Sequence, residues 1–155
     1  MTKWIIAMLI LPVLACCLTG CQQQQISDAA SNKVLETEGG FANDLISIKE
    51  ESDAIRLFLE QEALTQTELN QRSGELRTLW DEALHQLLDE AQKVLPEAEL
   101  EQLAAEQSAW QTEMMTVVEA AGKAYEGGSL YPLVVNIEAA KLTEERVYQL
   151  YERLK

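Results

Sequence analysis

The chain has 155 residues, 47% of them hydrophobic, with three prolines and seven glycines. That is enough for one domain with a packed core, and it favours long helices over a many-turned β fold. The formal charge is −14, from 26 acidic and 12 basic residues. This argues against nucleic acid as a partner, because phosphate binding needs a basic footprint. It suits solubility and the attraction of basic partners.

Met1 to Cys21 reads MTKWIIAMLILPVLACCLTGC. Lys3 and the amino terminus make a positive start, and Trp4 to Leu18 carries no charge. The run is short for a membrane span, which takes about 20 apolar residues, and its length suits a secretory signal. Its end, Leu18-Thr19-Gly20-Cys21, resembles the lipobox of bacterial lipoproteins. That resemblance implies that residues 1–20 are a removed signal peptide and that Cys21 is the lipidated first residue of the mature chain. Cys16 and Cys17 then leave with the signal, and no disulfide can form within the mature chain. Two or three acyl chains, palmitate among them, anchor durably where one alone is marginal. Gln22 stands where an aspartate would alter sorting, which by the same analogy implies the outer membrane, facing the periplasm. Residues 21–40 read as a lipidated tether, with a weak helix from Ser27 to Glu38 broken by Gly39-Gly40.

From Phe41 the pattern turns helical and stays so to about Leu64. Leu45, Ile48, Ile55, Phe58 and Leu59 share a face, and Asn43 or Asp44 supplies the cap. Thr65 or Thr67 caps a second helix with a stripe of Leu69, Leu76, Trp80, Ala83, Leu87 and Ala91, in which Gly74 is a mild defect. Pro96 ends that helix near Leu95 and starts a third. The large side chains of the third helix are Leu100, Leu103, Trp110, Met114, Val117 and Ala121, at steps built from three and four, with polar Gln107 inside the stripe. This third helix reads as the centre of the fold. The short join sets helices two and three antiparallel with their stripes facing, Trp80 and Trp110 in or beside the seam. Gly127-Gly128-Ser129 closes the stretch, and Ser129 caps a last helix whose first turn tolerates Pro132. Leu130, Leu133, Val134, Ile137, Ala140, Val147, Tyr151 and Leu154 form its stripe, while β-branched Val134, Val135 and Ile137 leave a local strand as the alternative. The expected fold is all-α: a small antiparallel bundle of three to four helices over residues 41–155.

Five short motifs occur in order: Glu68-Leu69-Asn70, Trp80, Gln107-Ser108-Ala109-Trp110, Gly127-Gly128-Ser129 and Thr143-Glu144-Glu145-Arg146. Over residues 65–155 this arrangement resembles the LprI-like lysozyme-inhibitor family. The resemblance implies a small secreted or lipid-anchored helical domain. It also implies disulfides, which this chain lacks. Where family members carry cysteines, it reads Gln71-Arg72-Ser73, Val117-Val118 and Ile137-Glu138-Ala139.

Asn70, Gln107, Thr143 and Arg146 recur in these motifs. One reading makes them a polar network that pins the register of three helices, since a buried amide such as Gln107 needs a partner. Others make them caps or surface residues, or direct contacts to a partner. His85, the single histidine, falls off its stripe, so it is expected to be exposed. The acidic pairs Asp81-Glu82, Asp89-Glu90 and Glu144-Glu145 read as solvated helix faces. No residue is expected to be catalytic, to bind a metal or to hold a cofactor. The resemblance implies a lipid-anchored protein that binds lysozyme or another basic envelope protein. It assigns no contact residue; separately from it, Ala124–Tyr131 reads as a flexible or projecting loop for entering a cleft. The alternative is a structural or assembly lipoprotein that does not touch lysozyme.

Overall fold

The computed structural model describes residues 40–61 and 63–155. The expected signal peptide, Cys21 and the tether helix lie outside the described residues. Four long helices make up the fold: α1 Phe41–Leu59, α2 Gln66–Val94, α3 Glu97–Gly122 and α4 Tyr131–Leu154. A single 3-10 turn, Lys123–Tyr125, extends α3. There is no strand among the described residues, so the all-α expectation holds and Val134–Ile137 is helical.

The helix starts follow local chemistry. Thr65 forms a full capping box on α2. Its hydroxyl accepts from the Glu68 N–H, and the Glu68 carboxylate accepts from the Thr65 N–H at 2.8 Å. Pro96 sits at the N-cap of α3, where its missing N–H costs no helical bond. Two expected caps are corrected. Gly40, with extended backbone and no side-chain cap, begins α1 in place of Asn43 or Asp44, and the helix stops at Leu59. Leu130 is the N-cap of α4, and Ser129 instead offers its carbonyl to Asn70 at 3.0 Å.

The largest correction concerns the packing order. α2 and α4 form the most extensive helix pair, α1 packs on α2, and α3 packs on α4. α2 and α3 share no comparable seam despite their short join. Cross-chain pairs set the directions. Ser73 meets Asn136 and Asp81 meets Thr143, so α2 and α4 run parallel. Gln107 meets Arg146 and Glu106 meets Arg153, so α3 is antiparallel to α4.

The core therefore centres on α2, with Leu76, Trp80, Ala83, Leu87 and Ala91 all buried. On α4 the buried line is Val135, Ala139, Thr143, Val147, Leu150 and Leu154. It is offset from the expected stripe, and Leu130 and Ile137 are exposed. Small Ala139, Ala140 and Thr143 are buried on α4, whereas the expected stripe drew on larger leucine and isoleucine side chains. α3, expected at the centre, is an edge helix that buries only Leu103 and Gly122.

Candidate functional site

Trp80 is completely buried between α1, α2 and α4. Its indole N–H donates to Ser52 Oγ on α1 at 3.1 Å, and its ring centroid lies 6.0 Å from that of Tyr148 on α4. Arg56 Nε also donates to Ser52 Oγ, at 3.3 Å, while its guanidinium reaches Glu144 on α4 at 2.5 Å. Trp80 thus ties three helices, and Trp110 takes no part in this cluster.

The motif residues fall into separate contacts along α4. At the start of α2, Asn70 Nδ2 donates to the Ser129 carbonyl, and its Oδ1 accepts from Gln66. One turn on, buried Ser73 donates to the Asn70 carbonyl and accepts from Asn136 at 3.3 Å. Further along, buried Thr143 lies 3.4 Å from the Asp81 carboxylate. Asn70, Ser129 and Thr143 therefore belong to the α2–α4 pair.

Gln107, Trp110 and Arg146 meet on the other side of α4. Gln107 Oε1 accepts from Arg146 Nε at 3.0 Å. The Arg146 guanidinium carbon lies 5.8 Å from the centre of the Trp110 ring, within cation–π range. Beside them Arg153 donates to Glu106 at 2.6 Å. Arg146 Nη2 is buried and has no hydrogen-bond partner. Burial lowers the Arg146 pKa from its ordinary value; the Glu106 carboxylate opposes this and nearby Arg153 adds to it. The Glu106 carboxyl is held below the usual range, first by the Gln102 amide and then by Arg153, with desolvation opposing.

Gly127 and Gly128 sit in a tight turn. The Gly128 N–H donates to the Tyr125 carbonyl at 2.9 Å. Glu126 has φ −56° and ψ 129°, and Gly127 has φ +75°, the dihedrals of a type II turn that favours glycine at its third position. The segment Ala124–Tyr131 is thus short and compact. It is pinned to α2 through Asn70, and it holds Tyr125 and Leu130 out to solvent, 41% and 42% exposed.

Several partners were missed from sequence: Ser52, Ser73, Asp81, Glu106, Gly122, Asn136 and Arg153. Ser52 and Ser73 carry a signal, since each fills a helical step between apolar neighbours. Gly122 carries none. A Cβ there would lie 2.6 Å from Val135 Cγ1 and 2.7 Å from the Tyr131 ring.

These arrangements hold helices together and present surface. His85 is exposed, with Nδ1 2.6 Å from the Asp81 carbonyl of its own helix. Among the described residues no group of three or more histidine, cysteine or acidic side chains is placed to hold a metal ion. No described helix is long and apolar enough to cross a membrane.

Comparison with protein families matches this chain to a family model. The family model described as "Lysozyme inhibitor LprI" covers residues 60–150, which includes all five motifs, helices α2 and α3, and α4 up to residue 150. Searches of curated proteins and of solved structures give no match to the chain.

Proposed function

The chain belongs to the LprI lysozyme-inhibitor family, and from that premise we propose that it is a lipid-anchored envelope protein that inhibits lysozyme by direct contact. Family membership is the observation that carries this reading. The charge supports it: animal-type lysozymes are strongly basic, and a chain of formal charge −14 would be drawn to them, with binding that weakens as salt screens the attraction. The polar motif residues are spent on helix contacts, which leaves the outer faces of the bundle for a partner to meet.

The anchor rests on Leu18-Thr19-Gly20-Cys21, and the outer-membrane placement on Gln22. In this reading residues 21–40 lift the bundle off the lipid surface into the periplasm. Acylation at Cys21 makes Cys21→Ser move the protein from the membrane to the soluble fraction; persistent sedimentation with membranes would count against that role.

Inhibition is tested by adding the purified protein to a peptidoglycan suspension and following its clearing by an animal-type lysozyme. Slower clearing at micromolar protein, relieved by salt, is the expected result. Unchanged clearing, together with co-purification of one stoichiometric envelope partner, would replace this function with that of an assembly lipoprotein.

A further inference from the structure

We propose that the solvent-facing side of α3 is the surface that receives the basic muramidase, an inference that rests on the inhibitor reading above. α3 is the one helix whose packing leaves most of its circumference uncovered. Among the described residues its one extensive long-helix partner is α4, and it buries only Leu103 and Gly122. On the side away from α4, Glu101, Ala105, Ser108, Thr112, Met115 and Glu119 succeed one another at steps of four and three, and all six are exposed. They form one stripe of about 27 Å along the helix.

The middle of the stripe is low and uncharged, made of small Ala105, Ser108 and Thr112 and of Met115, which is 55% exposed. Its two ends are carboxylates. A flat, small-residue surface admits a second body to close range, and a methionine adapts its shape to what it meets.

Charge identifies the occupant. Between Glu97 and Gly122 every charged residue is a glutamate, and no lysine or arginine intervenes. Each of the other three helices carries two or three bases. Among the described residues only Glu106 of these glutamates is paired with a base, Arg153 of α4. A second copy of this chain would bring a like-charged helix against it and be repelled. A basic protein surface gains from the same field, which speeds encounter and sets orientation.

The test uses the full chain in a mild nonionic detergent, titrated calorimetrically with an animal-type lysozyme and assayed in parallel on purified peptidoglycan. Two variants probe the stripe: Glu101→Lys with Glu119→Lys, and Thr112→Arg alone. A third, Glu50→Lys with Glu51→Lys on exposed positions of α1, changes net charge as much as the first but on another face. Melting curves confirm that each is folded. Loss of affinity of tenfold or more in both stripe variants, with less than threefold in the α1 variant, supports the assignment. Equal loss in the α1 and α3 double variants, or retained affinity in Thr112→Arg, overturns this surface and leaves the inhibitor reading standing. Absence of lysozyme binding by the unaltered protein overturns both.

Discussion

Replacing Gln107 by leucine tests the α3–α4 contact most directly. The leucine has nearly the volume of glutamine and keeps the helix, so the loss is confined to the carbonyl that accepts from Arg146 Nε. Arg146 would then hold two inward-facing nitrogen donors without protein partners, because Nη2 has none already. A hydrogen bond to a charged group is worth about 1.5–3 kcal/mol, and the half-buried position of both residues places the cost near about 1.5 kcal/mol. Unfolding entropy of about 2.1 cal/mol/K per residue gives about 0.24 kcal/mol/K for a bundle of this size, so Tm should fall by roughly 6 °C. The assay is thermal unfolding of Gln107→Leu, Arg146→Met and the double variant. The double variant should recover at least about 1 kcal/mol relative to the sum of the singles, since it leaves neither partner stranded. The Arg146–Trp110 contact is lost in both Arg146→Met chains and cancels in the cycle. A Tm for Gln107→Leu within 1 °C of the unaltered chain, or strict additivity, would refute the contact as a source of stability.

Gly122→Ala should lower stability by about 2 kcal/mol, because the new methyl must displace Val135 and the Tyr131 ring; an unchanged melting curve would mean that α3 and α4 separate there without cost. Ser52→Ala strands the Trp80 indole N–H in a fully buried site and should cost about 1–3 kcal/mol, whereas Ser47→Ala on the exposed side of α1 should cost a few tenths; equal effects would contradict the burial argument. The Glu68 carboxyl is held below its ordinary value of 4.5, first by the Thr65 hydroxyl and then by the Thr65 N–H. A depressed carboxyl stabilises fully above pH 4.5 and loses its effect as the pH falls through the lower folded value. The Tm gap between the unaltered chain and Glu68→Ala should therefore narrow in that acid range, and a gap constant from pH 7 to pH 2 would exclude the capping box as its source.

The periodic core of α2 was readable because large side chains dominate one face, which is buried from Leu76 to Ala91, with Leu69 half-buried at its start. The same logic misplaced α3. Its stripe has the right spacing, yet spacing shows only that one face is apolar, and not how many neighbours cover it. Covered by α4 on one side, the helix leaves Met115 and Val117 exposed. On α4 the fault was one of weight. Leu130 and Ile137 are exposed, while small Ala139, Ala140 and Thr143 are buried, and Thr143 meets Asp81 of α2. The motif residues were legible as a set, but not their pairing. Nothing in the order Asn70, Gln107, Thr143, Arg146 says that Asn70 finds a backbone carbonyl in the turn, or that Thr143 finds Asp81.

Those pairings answer a problem that the cysteine-free bundle has to solve. The three cysteines of the chain all precede residue 22, so no disulfide holds the described helices. A parallel pair such as α2 and α4, joined through a long excursion along α3, has no tight connecting turn to set its register. Small and aliphatic side chains alone would allow a slip of one helical turn, about 5.4 Å, at modest cost. Polar contacts at Asn70–Ser129, Ser73–Asn136 and Asp81–Thr143 remove that freedom, because a slip would strand buried hydroxyls at Ser73 and Thr143. Fixing α4 against α2 also fixes α3, which is latched to α4 by Gln107–Arg146 and by the close fit at Gly122. The exposed side of α3 and the turn at Gly127 are then carried at a defined height on the bundle. Positioning of the proposed docking surface follows from the same hydroxyls and amides that set the helix register, which gives the motif residues a role even where none of them touches the partner.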